Sequence, residues 1–337
     1  MRKANHTAVS CLLPGLLLLA GCRGTEPDLP ERVDVTFSIL GTDTRTTVTE
    51  GEGTVERWTL LLYRDGRLAD LGTSESATSI VRTLAAGTYT AFAVVNPPAS
   101  FRPEAYTALA DLSEAESDLR DNRPARFVMT GSRAITVPVP DDGPQTIGVD
   151  RLVAKAGVRK VTVAFTDPAL SSRTFRLKAV YLTNCYGKNR LGSDWETDGM
   201  SADPSRWYNR MGFHADEGVD GLLSDRDIGT EITPGHSYGQ AHYFYCYPNR
   251  TEGDNRSGDW SVRHTRLVLE AEIGGRTYYY PVTLPAMQRN KTYLIEEAVI
   301  RNLGSSDPEK DEPGSIDVRF STSTEEWGPE YTVQENS

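Results

Sequence analysis

The stretch Val33-Asp34-Val35-Thr36-Phe37-Ser38-Ile39 alternates apolar and polar side chains residue by residue. Successive side chains of a β-strand point to opposite faces, so this pattern builds one apolar face and one wet face. Strand signatures return along the chain, as alternation or, at Trp58 to Tyr63, as a buried-looking apolar run. They are read at 58–63, 79–84, 87–95, 135–139 and 145–149, then at 158–165, 175–182, 241–247, 265–273, 276–282, 292–301, 316–322 and 331–334. Turn signals such as Asp65-Gly66 and Asn96-Pro97-Pro98 separate the runs.

Only residues 105–120 read as helical, with Ser113 and Glu116 spaced as a capping box. Many short strands, Gly/Pro turns and one short helix predict an all-β chain. The expected architecture is two β-sandwich domains of transthyretin-like or Greek-key type, over 46–150 and 151–337. The second opens at Arg151-Leu152-Val153-Ala154-Lys155.

The N-terminus carries a different message. Arg2 and Lys3 precede a short apolar run that ends in Leu19-Ala20-Gly21-Cys22. A charged start, a short apolar stretch and small residues at the cut describe a secretory signal. A cysteine directly after Leu-Ala-Gly makes it similar to a bacterial lipoprotein signal. Cleavage is then expected between Gly21 and Cys22, with lipid on the Cys22 thiol. Residues 22–45 form a lipidated propeptide made of a polar tether and the first strand. The apolar run is too short to span a bilayer, so lipid alone would hold the exported chain, and two or three acyl chains suffice for that.

The net charge of −11 becomes −13 once residues 1–21 leave with Arg2 and Lys3. Phosphate contacts need clustered Lys and Arg, so nucleic acid is not an expected partner. Of the four cysteines, Cys11 leaves with the signal and Cys22 takes lipid. Cys185 and Cys246 remain as candidates for one disulfide in an oxidising compartment, with two buried thiols as the alternative.

Catalytic and cofactor motifs are absent. There is no phosphate-binding Gly loop, no H-E-x-x-H and no G-x-S-x-G. Asp225-Arg226-Asp227 lacks the remaining ligands of a calcium loop. His236 and His242 are separated by Gly239. Neither cofactor nor metal is expected, nor is enzymatic activity. Tyr243-Phe244-Tyr245 and Tyr278-Tyr279-Tyr280 are read as alternating core and surface aromatics.

One pair of strands carries a mechanism. Ile316-Asp317-Val318-Arg319-Phe320-Ser321-Thr322 repeats the first strand, with apolar residues, an acid and a serine in the same places. Two segments with one alternation can fill the same groove in a sheet, one from each of two molecules. The first strand is followed by the polar loop Thr42-Asp43-Thr44-Arg45-Thr46-Thr47. Exposed loops of small polar residues are preferred sites of proteolysis. A cut between Arg45 and Thr46 would release lipid, tether and first strand together.

These stretches, with Trp58-Thr59-Leu60-Leu61-Leu62-Tyr63, Tyr279-Tyr280-Pro281-Val282, Arg289-Asn290-Lys291-Thr292-Tyr293, Gly304, Asp307-Pro308 and Trp327, occur in an order that resembles the fimbrillin family of type V pili. The resemblance covers the whole chain. It implies a structural subunit of a surface fimbria that supports adhesion and reaches the outer membrane as a lipoprotein precursor. It also implies maturation by an arginine-specific protease and assembly with copies of itself or related pilus subunits by donor-strand exchange. Carried onto this chain, Arg45 is the residue before the cut. The leaving strand holds Val33, Val35, Phe37 and Ile39. The donor region, 316–334, holds Ile316, Val318, Phe320, Tyr331 and Val333. The alternatives are a monomeric glycan-binding lipoprotein of the outer membrane and the anchor subunit of the same fimbria.

Overall fold

Sheets that are apolar on one face bury it by packing against another layer. The computed structural model of the chain is built this way. It describes residues 32–41, 52–76, 79–124, 126–139, 143–192, 200–254 and 260–326. The first strands are β1 (Arg32–Gly41), β2 (Trp58–Arg64), β3 (Arg67–Ser74), β4 (Ile80–Ala85), β5 (Gly87–Val95), β6 (Glu116–Asp118), β7 (Met129–Val137) and β8 (Gln145–Arg151). There follow β9 (Ala154–Val158), β10 (Val161–Val163), β11 (Phe175–Thr183), β12 (Cys185–Tyr186), β13 (Lys188–Arg190), β14 (Trp207–Tyr208), β15 (Ser224–Asp225), β16 (Thr230–Ile232) and β17 (Ser237–Tyr238). The last are β18 (His242–Cys246), β19 (Arg266–Ile273), β20 (Arg276–Thr283), β21 (Lys291–Ile300) and β22 (Ile316–Glu326). Two short helices, α1 (Leu109–Ser113) and α2 (Asp220–Leu223), interrupt them.

The first seven-stranded sheet runs β3-β2-β5-β7-β8-β1-β4. It curls until its ends meet. Arg82 Nε on β4 donates to Asp70 Oδ2 on β3 at 2.8 Å. At the same seam a Cβ on Gly72 would sit 2.7 Å from Ile80 Cγ2. The turn into β3 is Asp65-Gly66, both with positive φ (50° and 74°), as a two-residue hairpin of this twist requires. The curled sheet encloses a core of Val35, Phe37, Trp58, Leu60, Leu62 and their neighbours.

β2 faces two ways. Trp58, Leu60 and Leu62 enter that core, while Leu61 and Tyr63 join a second one. A strand covered on both faces reads as a continuous apolar run. The second core continues between two further sheets. One runs β17-β10-β21-β9-β18 with β22 also on β21, and the other β15-β11-β19-β20 with β16 also on β11. Val158, Val163, Ile295 and Ala298 supply one side, and Leu177, Leu267, Leu269 and Tyr280 the other. The observed class is all-β and sandwich-like, as expected.

Two local expectations are corrected. Only Leu109–Ser113 of the 105–120 stretch is α-helical, and Ser113 ends that helix instead of capping it. The helix start is capped by Asp111, whose carboxylate accepts from the Ala108 N–H at 3.0 Å. Glu116 lies in β6, which pairs with β13. The second helix, α2, was not anticipated; it falls between the strand signatures at 175–182 and 241–247.

Candidate functional site

β1 lies inside a sheet, not at its margin. It runs antiparallel to β4, from Arg32 opposite Ala85 to Phe37 opposite Ile80. It runs parallel to β8, from Phe37 beside Gln145 to Gly41 beside Val149. Its inward side chains alternate as the sequence predicts. Val35 is 1% exposed and Phe37 0%, while Val33 and Ile39 are half-buried against the same core.

The outward side chains fix the register. Thr83 Oγ1 donates to Asp34 Oδ1 at 2.6 Å. Ser38 and Thr146 hydroxyls lie 3.0 Å apart. Arg32 Nη2 donates to the Thr83 carbonyl at 3.2 Å. The bed of β1 is therefore a slot with apolar holes for alternate residues and hydroxyls on its outer rim, between two strands with matching free backbone groups.

β22 carries the related sequence in a contrasting environment. It pairs only with β21, from Ile300 opposite Ile316 to Lys291 opposite Glu326. Ile316 is half-buried. Val318 and Phe320 are each 36% exposed, two of the four large exposed apolar side chains among the described residues. The outer face is held by ion pairs of Arg301 with Asp317 (2.7 Å) and Arg319 with Glu297 (3.0 Å), and by Ser321 Oγ donating to Glu296 (2.6 Å). A long edge strand with exposed apolar residues is a surface predisposed to further pairing. The other two of those four are Met211 and Val81, the latter opposite Thr36 on β4.

Gly21, Cys22, Arg45, Thr46, Trp327, Tyr331 and Val333 lie outside the described residues. The described residues resume at Glu52, which sequence reasoning missed. Its buried carboxylate accepts from Lys155 Nζ at 2.9 Å and from the Tyr245 hydroxyl. Its carbonyl accepts from Arg151 Nε at 3.1 Å. Both cations come from the Arg151–Lys155 stretch. Burial lowers the Arg151 pKa to about 10 and also lowers that of Lys155, which Glu52 partly offsets.

Cys185 and Cys246 are both buried and unbonded. They neighbour one another, and burial followed by that contact raises the Cys185 pKa. Their place inside the second core explains the burial. Asp225 sits on β15 with its Oδ2 2.9 Å from His242 Nδ1. Tyr280 and Phe244 are core residues, whereas Tyr243 receives the Lys155 ammonium over its ring at 4.4 Å.

No protein-family description matches this chain, and no curated protein matches it. Solved structures do. A candidate cell adhesion protein of Bacteroides eggerthii is 16% identical, with 88% of this chain and 97% of that one covered and a TM-score of 0.63. A fimbrilin of Porphyromonas gingivalis is 13% identical, with 86% and 96% covered and a TM-score of 0.61. The tip fimbrial protein Mfa3 of Porphyromonas gingivalis is 16% identical, with 86% and 99% covered and a TM-score of 0.52. This chain has the fold of these cell-adhesion and fimbrial structures along nearly their whole length.

Proposed function

We propose that this chain is the lipoprotein precursor of a fimbrial subunit and has no enzymatic role. It is exported with Cys22 lipidated, cut between Arg45 and Thr46 at the cell surface, and polymerised by donor-strand exchange to support adhesion. The observation that carries this reading is the position of β1. It fills the interior of a sheet yet precedes everything else in the fold, so one cut in 42–51 separates it from the rest. Its loss would uncover the slot between β4 and β8. Val35 and Phe37 alone contribute about 3–6 kcal/mol by burial, at about 1.5–3 kcal/mol each. An open slot of that kind favours any strand with the same alternation, and the 316–334 region of a second copy has it.

The partners on this reading are copies of this chain or related subunits, an arginine-specific protease, and outer-membrane lipid before maturation. We place the boundary between the two sandwich modules near residue 150, where β8 gives way to β9. The fold shared with fimbrial structures supports the reading. The test is the size of protein lacking residues 1–45. Detergent-resistant ladders are expected. A stable monomer would favour the glycan-binding alternative.

A further inference from the structure

The connection between β21 and β22 does not take the short way across. Tyr280 Oη donates to the Asn302 carbonyl at 3.0 Å. Ser305 and Tyr279 exchange both backbone hydrogen bonds, at 2.8 and 2.9 Å. The chain then buries Glu309, whose side chain is 6% exposed. One Glu309 oxygen accepts from Arg263 Nη1 (3.1 Å), Arg266 Nη1 (3.3 Å) and Asn184 Nδ2 (3.2 Å). The other accepts from Asn184 Nδ2 (3.0 Å) and Thr183 Oγ1 (3.3 Å). Arg266 is itself paired with Asp254. The partners of Glu309 are Thr183 and Arg266, at the end of β11 and the start of β19 in the opposite sheet, and Asn184 and Arg263 just beside them. None belongs to β21 or β22.

Immediately after Glu309 the character changes. Residues 310–314 are all exposed, and Gly314 has a φ of +72°. Ser315 then closes the neck by accepting from the Arg301 and Asn302 amides, at 2.7 and 3.2 Å. Charge-assisted bonds to a buried carboxylate are the strong kind, and removing one member leaves buried cations uncompensated. The exposed stretch has nothing comparable.

We propose that Glu309 is a positioning residue that roots the C-terminal arm. Everything up to Glu309 stays with the subunit body when β22 leaves β21, and 310–315 is the pivot. Tension on the arm passes through the Glu309 carboxylate into β19 and the end of β11. This rests on the donor role of the 316–334 region.

Native-state hydrogen exchange on the precursor tests it. The Ser305 and Glu309 amides should exchange at least tenfold more slowly than those of 316–326. In Glu309→Gln they should speed up at least tenfold, with β2, β5 and β7 unchanged. Uniform acceleration across the chain would make Glu309 an ordinary structural ion pair and overturn the proposal. So would an unchanged rate at Ser305 and Glu309. If the variant does not fold, the wild-type pattern decides, because 304–309 and 316–326 exchanging as one unit contradicts a fixed root. The donor reading fails separately, if wild-type protein lacking residues 1–45 stays monomeric.

Discussion

Lys155 Nζ and Glu52 Oε1 are 2.9 Å apart, with both side chains only 2% exposed. Glu52 is the first described residue after the 42–51 stretch that holds Arg45. After a cut between Arg45 and Thr46, Glu52, six positions on from the new leading end, would therefore remain tied to a buried cation. Breaking a buried pair from one side costs about 3–5 kcal/mol. Glu52→Ala should lower the unfolding free energy by about that amount. Adding Lys155→Met should cost less than the sum of the two single changes. Denaturant midpoints of the four proteins measure the cycle, and strict additivity would show that the pair is not coupled.

A second prediction concerns acid. Asp118 accepts from Arg120 Nε (3.0 Å) and the Tyr208 hydroxyl (2.7 Å), and pairs with Lys188 at 2.8 Å. Burial acts to raise its pKa, but these bonds outweigh it and hold the carboxyl well below the usual range. A depressed folded-state pKa contributes stability above the unfolded value, about 3.9 for Asp, and that stability is lost as pH falls through the folded value. Asp118→Asn should cost about 1.5–3 kcal/mol near neutral pH. The gap from wild type should shrink below about pH 4, where the wild type loses the same stabilisation. Thermal unfolding at several pH values reads both. A gap that widens in acid would contradict the assignment.

The corner of the first sheet gives a third. β7 pairs with β8 only at Met129 with Arg151 and Thr130 with Asp150. A Cβ on the next residue, Gly131, would overlap the carbonyl oxygen of Gly148. Gly148 lies beside Leu40 of β1. Gly131→Ala must therefore push β8 away and deform the bed of β1. It should destabilise by more than the few tenths of a kcal/mol typical of exposed sites, and loosen β1 before the rest of the fold. Faster proteolytic loss of residues 1–45 than in wild type is the expected readout. Unchanged kinetics would mean the bed tolerates the shift.

Maturation gives a fourth. Arg45→Ala should leave lipidated monomers with Cys22 at the N-terminus, and no fibres. Wild-type protein from the cell surface should begin at Thr46. Fibres built from the variant would exclude Arg45 as the cut.

What could be read beforehand was the period-two pattern. β1, β2 and β5 were legible because apolar residues alternate or run continuously where both faces are covered. β3 was not, because Arg67, Asp70, Gly72 and Thr73 give it little apolar periodicity; its place comes from the Asp65-Gly66 turn and from pairing with β2. Glu309 was not legible, since Asp307-Pro308-Glu309-Lys310-Asp311-Glu312 looks uniformly wet. Its burial depends on Arg263 and Arg266, more than forty positions away, and no local pattern reports such a pairing. The pair of arginines at the entry to the apolar β19, Arg263 before it and Arg266 as its first residue, is the one signal that could have prompted a search for a buried acid. Glu52 was missed for the same reason.

The central claim is that the place of β1 can be taken by the tail of another molecule. Protein lacking both 1–45 and 316–337 has the slot and no donor. Calorimetry with a synthetic peptide of residues 316–337 measures the exchange directly. The account predicts one peptide bound per protein, and none bound by protein that retains β1. Failure of the trimmed protein to bind, or equal binding with β1 in place, would contradict it.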